Sequence, residues 1–284
     1  MKVAKTITSV RNLVKAARSK GKKIGFVPTM GSLHIGHISL IEAAKKKCDF
    51  VVVSIFVNPT QFGTDEDFEK YPRPFDTDLK ICRENGVDVV FAPTSEELYG
   101  NENLTWVNVE KLTEPLCGRF RPGHFRGVTT VCAKLFNLIA PDIALFGQKD
   151  EQQAIVIKRM VADLKMPLEI VVCPTVRERS GLAVSSRNKY LTAQQKEDAA
   201  LIFKSLKKCQ ELISSGLTDT GKIIAQMRNL LSQAPSIKIE YISIVDAETL
   251  QALDAATGTV LAAVAIRIGR ARLIDNILVD VSKK

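Results

Sequence analysis

Apolar positions follow two rhythms through the first part of the chain. Short apolar runs lie at residues 23–29, 50–57, 87–92, 143–146 and 168–172. The second, FVVVSIFV, is continuous and β-branched, the pattern of a strand covered on both faces. Between the runs, residues 36–47, 76–85, 129–139 and 150–164 have helical spacing, and Gly86 is placed to stop the second of these. Residues 1–20 read as an amphipathic first helix. Strands alternating with helices predict right-handed βαβ crossovers and a parallel sheet. A ligand then belongs beyond the carboxyl ends of the strands. The loops at 28–37, 58–63, 147–150 and 174–187 all follow strands, so they should gather at one edge. Residues 94–127 are irregular, with Pro115, Gly118, Pro122, Gly123 and Gly127, and contain a basic loop, Arg119-Phe-Arg-Pro-Gly-His-Phe-Arg126.

The pattern changes near residue 175. Residues 192–214 and 220–233 have helical spacing. Residues 237–245, 260–268 and 271–279 alternate as strands of a small sheet with one face exposed, and Gly269-Arg270 makes a hairpin turn between the last two. The predicted class is α/β: a Rossmann-like parallel-sheet nucleotide-binding domain over 1–174, then a smaller α+β C-terminal domain over 175–284.

Composition narrows the partners. An apolar share of 45% and a charged share of 25% describe a soluble globular protein, and no run of eighteen apolar residues offers a membrane span. The basic N-terminus is broken by charges and lacks the apolar core of a signal peptide. Cys48, Cys82, Cys117, Cys132, Cys173 and Cys209 form no Cys-x-x-Cys, which argues against zinc. Without an export signal they read as reduced, mostly buried thiols of a cytoplasmic protein. The net charge of +9 reads either as a basic surface that aids solubility or as the mark of a polyanionic partner, nucleotide or nucleic acid. Spread lysines and an aromatic content of 6% weaken the nucleic-acid option, which needs a basic groove with stacking rings.

Residues 23–42 hold the densest chemistry. An apolar run, a turn on Pro28, Met30 and Gly31, then His34-Ile-Gly-His37 entering a helix, together make an anion-binding corner. Free N–H groups and the positive helix end should face one point there. Histidines three apart can both reach that point, and Gly36 admits a ligand close to the backbone. Lys149, after Gly147 at a strand-to-helix turn, suits a point-charge phosphate contact. Ser185, Ser186 and Arg187 offer two hydroxyls and a forked donor on a loop, though Ser-Ser-Arg also serves as a helix cap. Gln61 and Gln153 can bond hydroxyl and carboxylate groups without adding charge.

The first motif resembles the nucleotide-binding signature of the HIGH-motif nucleotidyltransferase superfamily, shared with class I aminoacyl-tRNA synthetases. With three others it resembles, essentially end to end, the pantothenate synthetase (pantoate–β-alanine ligase) family. Those three are Asn58-Pro-Thr-Gln-Phe-Gly63, Phe146-Gly-Gln-Lys-Asp-Glu-Gln-Gln153 and Thr175-Val-Arg-Glu-Arg-Ser-Gly-Leu-Ala-Val-Ser-Ser-Arg-Asn188, with Arg121-Pro-Gly-His-Phe-Arg-Gly127 as further support. The resemblance implies a two-step reaction. Pantoate and ATP give pantoyl-adenylate and pyrophosphate, and β-alanine then displaces AMP to give pantothenate. It implies a homodimer. Ser185, Ser186 and Arg187 can reach the triphosphate only if the second domain folds as a lid over the ATP- and pantoate-binding first domain. Mg²⁺ is expected with the phosphates, and no nucleic-acid or membrane partner is expected.

By the same resemblance, His34, His37, Lys149 and Arg187 are catalytic. The ATP set is Met30, Gly31, Ser32, Leu33, His34, Ile35, Gly36, His37, Gly147, Gln148, Lys149, Asp150, Val176, Val184, Ser185, Ser186 and Arg187. Gln61 and Gln153 would bind pantoate, and Gln61 would also lie nearest β-alanine. Met30, Pro28 and Phe56 either wall the dimethyl group of pantoate or pack the core. Asp150 either holds Mg²⁺ through the phosphates or pairs with a lysine. Gln148 stands where the family usually has Glu, and Val184 where it usually has Leu or Met. Two other readings are a nucleotidyltransferase that keeps the nucleotide in its product and a basic RNA-binding module. The lid role predicts that residues 184–188 order only when ATP binds.

Overall fold

A computed structural model describes residues 1–64 and 66–281 of the chain. Strands β1 (Lys2–Ala4), β2 (Ile24–Thr29), β3 (Phe50–Ile55), β4 (Val89–Phe91), β5 (Ile143–Gly147) and β6 (Glu169–Cys173) form one sheet in the order β1-β4-β3-β2-β5-β6. Every pairing in it is parallel. Val51, Val52 and Val53 are fully buried, as the β-branched run requires of a strand with both faces covered. The helices between these strands are α1 (Ile7–Arg18), α2 (Ile35–Lys47), α3 (Phe75–Glu84), α4 (Ser95–Tyr99), α5 (Cys117–Phe120), α6 (His124–Ile139) and α7 (Glu151–Asp163).

The topology fixes where a ligand fits. From β2 the chain steps outward through β3 to β4 on one side, while β5 and β6 extend the sheet on the other. The switch point therefore lies between β2 and β5. Strand β2 pairs with β3 from Ile24 to Thr29 but with β5 only at Gly25 and Phe26. Beyond Phe26 the β2–β5 ladder stops, at the carboxyl end. Pro28, which has no N–H to give a ladder, stands past that last pair.

In the first 174 residues the N-terminus and the start of α6 differ from what the pattern predicts. The N-terminal stretch is a strand as well as a helix: Lys2–Ala4 pairs with β4, and Thr6 caps α1 by accepting from Ser9 N–H at 3.2 Å. Three residues are too few to carry a period of two. The basic loop ends early, because α6 starts at His124 rather than 129. Its N-cap is Gly123 at φ 78°, which brings no side-chain capping signal.

The chain divides into two compact units. The first comprises Met1–Thr113, Phe120–Gly147 and Gln153–Pro174; the second comprises Glu114–Arg119, Gln148–Gln152 and Thr175–Lys284. In the second, α8 (Ala193–Ala199), α9 (Leu201–Ser214) and α10 (Thr220–Leu231) accompany an antiparallel sheet of β7 (Ile237–Asp246), β8 (Thr259–Ile268) and β9 (Ala271–Asp280). The single predicted helix over 192–214 is thus two, meeting at Ala200. Ile202, Leu206, Ile223 and Met227 pack with Ala262, Val264 and Ile266 of the central strand. Ala263 and Ala265 on the opposite face of β8 are buried too, so this strand does not show the exposed face its alternation suggested. Gly269, at φ 53°, turns the last hairpin. Among the described residues no helix is long and apolar enough to cross a membrane.

Candidate active site

The loop after β2 is built around a carboxylate on a different element. Asp78, on α3 and 1% exposed, accepts Ser32 N–H and Leu33 N–H, each at 2.8 Å. Gly31 N–H donates to Thr29 Oγ1 at 3.1 Å. Gly31 has φ 82°, and a Cβ there would stand 2.9 Å from Asp78 Oδ2, so glycine is required on both counts. The backbone donors at 31, 32 and 33 are therefore used inside the protein. This differs from the sequence expectation of free N–H groups facing a ligand.

The histidines supply donors instead. His34 is the N-cap of α2, and its Nδ1 accepts from Gly36 N–H at 3.2 Å. His37 Nδ1 accepts from His34 N–H at 3.3 Å, closing a reciprocal capping box. With Nδ1 accepting, each neutral ring carries its proton on Nε2. The ring centroids are 4.1 Å apart. Two imidazole N–H donors are thus paired at the start of a helix, where the macrodipole also favours negative charge. Both rings are half-buried, Leu33 is buried and Ile35 is 53% exposed.

The loop after β3 meets the loop after β2 through Gln61. Asn58 caps the 3-10 turn Pro59–Gln61, and its Nδ2 donates to Gln61 Oε1 at 3.0 Å and to Gly127 O at 3.2 Å. Tyr99 OH donates to Asn58 Oδ1 at 2.7 Å, and burial pushes that phenol up to about 12. With its oxygen held, the Gln61 amide turns its nitrogen to Met30 Sδ at 3.3 Å. Gln61 is 8% exposed, so its amide is a neutral polar group held almost wholly out of solvent. Phe56 is buried with its ring 6.2 Å from Tyr99, so it packs the core; Met30 and Pro28 are half-buried.

Behind this turn lies the Arg121–Gly127 segment. His124 Nδ1 lies 2.8 Å from Gln61 O and its Nε2 lies 3.0 Å from Arg121 Nη1. Guanidinium only donates, so Nε2 accepts and the Nδ1 proton goes to the Gln61 carbonyl. Arg121 also pairs with Glu66. Burial alone would raise the Glu66 carboxyl, but hydrogen bonds and charge from Arg121 outweigh it and hold the group below its ordinary value. Sequence reasoning noticed this segment without finding its task. Asn58 and Asp78 carried no separate signal, since a polar residue reveals its burial only in the fold.

In the second unit, the chain leaving β5 at Gly147 turns at once through the 3-10 segment Gln148–Asp150. Gln148 and Lys149 are half-buried and Asp150 exposed, with Lys149 Nζ 3.8 Å from Asp150 Oδ2. Asn276 Nδ2 donates to both Gln148 O, at 2.9 Å, and Lys149 O, at 3.0 Å. Residues 175–188 form a bonded hairpin: Val184 N–H donates to Val176 O at 3.0 Å and Glu178 N–H to Leu182 O at 2.8 Å. Ser185 Oγ accepts Arg187 N–H at 3.3 Å and so caps a 3-10 turn; Ser186 is buried and Arg187 half-buried. Gln153 is half-buried on α7, within the first unit.

All six cysteines are free and buried, and burial pushes the thiols of Cys82, Cys132 and Cys209 up to about 12. Those three are inert packing groups at neutral pH. Among the described residues, no group of three or more His, Cys, Asp or Glu side chains could hold a metal ion.

These features accord with comparison to known proteins. A family model described as pantoate-beta-alanine ligase matches residues 2–278. A pantothenate synthetase of Thermoanaerobacter pseudethanolicus is 53% identical over 278 residues, covering 98% of each chain. One from Moorella thermoacetica is 52% identical, covering 99% of this chain and all of its own length. The crystal structure of pantothenate synthetase from Thermus thermophilus superposes with a TM-score of 0.93 at 42% identity, covering 99% of both chains. A Francisella tularensis pantoate-beta-alanine ligase, complexed with beta-gamma ATP and beta-alanine, gives 0.81 at 38% identity, covering 98% of this chain and 97% of its own. With the paired histidines at the switch point and matches running nearly end to end, the chain belongs to the pantoate–β-alanine ligase family, enzymes of pantothenate biosynthesis.

Proposed function

We propose that the chain joins pantoate to β-alanine through pantoyl-adenylate. A carboxylate oxygen of pantoate attacks the α-phosphorus of ATP, and the bond from that phosphorus to the bridging oxygen breaks, releasing pyrophosphate. The β-alanine amine then attacks the acyl carbon, AMP leaves with the electron pair of the acyl–oxygen bond, and the amine nitrogen loses a proton. No covalent enzyme intermediate is needed, so positioning and charge stabilisation carry both steps.

The observation that supports this best is the His34–His37 capping box, which holds two imidazole rings side by side at a helix start with both Nδ1 atoms accepting backbone N–H groups. The Nε2–H donors of the rings suit negative charge growing on phosphate oxygens. Lys149 and Arg187 would add positive charge, and Gln61 and Gln153 would hold the hydroxyls and carboxylate of pantoate. Gln61 suits a hydroxylated carboxylate because its own oxygen is already bonded by Asn58, which leaves its amide N–H groups to donate. Its amide donor meets a weak thioether acceptor, Met30 Sδ, and can turn to a substrate oxygen instead. Asp150 fits a Mg²⁺ ion borne by the phosphates, which needs only one or two protein carboxylates. When bound, such an ion would neutralise phosphate charge.

Pyrophosphate release is the test. Pantoate and ATP without β-alanine should yield one pyrophosphate per active site, and His37→Ala should slow that burst on the order of 10²–10³-fold, the scale of one lost preorganised donor. Release that ignores pantoate, or that starts only when β-alanine is added, would overturn the two-step reading.

A further inference from the structure

The C-terminal strand β9 carries two adjacent residues, Asp275 and Asn276, 3% and 5% exposed. Neither is explained by packing, because an apolar pair would fill the same space without desolvation cost. Each bonds to a different segment that carries candidate phosphate contacts. Asn276 donates from one amide nitrogen to the carbonyl oxygens of Gln148 and Lys149. Carbonyl oxygens only accept, so this fixes the orientation of the Asn276 amide. Asp275 takes both Nη atoms of Arg177, with Nη2 to Oδ1 at 3.0 Å, and accepts Asn276 N–H at 2.8 Å.

Arg177 in turn belongs to the hairpin that leads to Ser185, Ser186 and Arg187. Its backbone bridges to Ala183. Its Nη1 donates to Gly181 O at 3.2 Å, and its guanidinium lies 3.9 Å from the centroid of the Phe203 ring. The cation–π contact and the bidentate carboxylate leave this arginine little freedom. It is one of three arginines in the fourth motif, and its partner carboxylate is buried.

We infer that Asn276 is a positioning residue for Lys149. By bridging the carbonyls of residues 148 and 149 it sets the direction in which the turn presents the lysine side chain. Asp275 and Arg177 hold Asn276 at that height and tie the Ser185–Arg187 hairpin to the same two residues of β9. Without the amide donor the two carbonyls would lose their shared partner and the 3-10 turn could rotate, moving Nζ while leaving the core of the sheet intact. The inference rests on the reading of Lys149 as a phosphate contact.

A double-mutant cycle separates the two claims. Asn276→Asp keeps the shape but swaps the donor for an oxygen facing two oxygens; Asn276→Ala is read in parallel should the charged variant fail to fold. With ATP and pantoate, either variant should slow pyrophosphate release roughly 10- to 100-fold, the range expected when a contact group is misplaced by about 1 Å. The reaction of supplied pantoyl-adenylate with β-alanine should keep its rate, since pyrophosphate is absent from it. In a Lys149→Ala background the Asn276 change should add little. If the loss from Asn276 is the same with and without Lys149, Asn276 acts as general scaffolding and the inference fails while the phosphate reading of Lys149 stands. If Lys149→Ala itself releases pyrophosphate at the normal rate, the phosphate reading falls and the inference with it. Undiminished release by folded Asn276→Ala would also refute the inference.

Discussion

Alanine at position 127 should damage pantoate use well before it damages the fold. Gly127 lies in α6, directly against the turn that carries Gln61. A Cβ there would stand 2.3 Å from Thr60 O, 2.5 Å from Thr60 C and 2.7 Å from Gln61 N. A relaxed carbon–oxygen contact is about 3.3 Å or more, so helix and turn must part by about 1 Å. Overpacking of this kind costs about 1–3 kcal/mol. Replacing glycine in a helix interior returns about 0.5–1 kcal/mol. The net loss, about 0–2.5 kcal/mol, leaves most chains of this size folded. The same 1 Å, however, moves Gln61 relative to Met30, and displacements of that size cost about 10²-fold in a positioned reaction. The clamp from Asn58 Nδ2 to Gly127 O, at 3.2 Å, would stretch as well. Pyrophosphate release at saturating ATP, with pantoate varied, is the assay. The expected result is a fall in kcat/KM for pantoate of about 10²-fold, with ATP affinity held. A folded Gly127→Ala protein with normal pantoate kinetics would show that this contact does not set Gln61. An equal loss of ATP affinity would place the turn in the wrong half of the site.

Two further outcomes follow from geometry away from the histidines. Because the Glu66 carboxyl is held below its ordinary 4.5, its pair with Arg121 stabilises the fold above the unfolded value and is lost as pH falls through the folded one. Melting temperatures should therefore show Glu66→Gln below the parent at neutral pH, with the gap closing below about pH 4; a gap that ignores pH would remove the ion pair from the account. The Val184 and Asn188 amides are already bonded, to Val176 O and Ser185 O. Hydrogen exchange without nucleotide should find both slow, and fast exchange that slows only with an ATP analogue would instead show a segment ordered by its ligand.

The parallel sheet was legible because its strands are long apolar runs separated by helical spacing, a signal that tertiary contacts reinforce. β1 escaped notice because it is three residues long and gains its place only by pairing with β4. The start of α6 was misplaced because Gly123 caps it with backbone shape alone. The candidate site was legible where chemistry sits in one stretch, as at His34 and His37. It was not legible where a distant residue completes a segment, as Asp78 does for residues 32 and 33 and Asn276 for 148 and 149. No local pattern in α3 or β9 announces which backbone group a side chain will bond. On β8 the alternation predicted one exposed face, but Ala263 and Ala265 are buried as well, and burial is set by what packs on a strand rather than by its own pattern.

The second unit is assembled from three separate stretches of chain, two of them short and early. During synthesis, residues 114–119 and 148–152 emerge long before the sheet that belongs with them exists. The first unit's β5 can pair with β2 as soon as it appears, but the carbonyls of residues 148 and 149 do not meet Asn276 until β9 is made. The lysine-bearing turn is therefore among the last parts of the molecule to take shape. An order of assembly is built in: a nascent chain can hold its parallel sheet and its histidine corner while the turn beyond β5 is still unset.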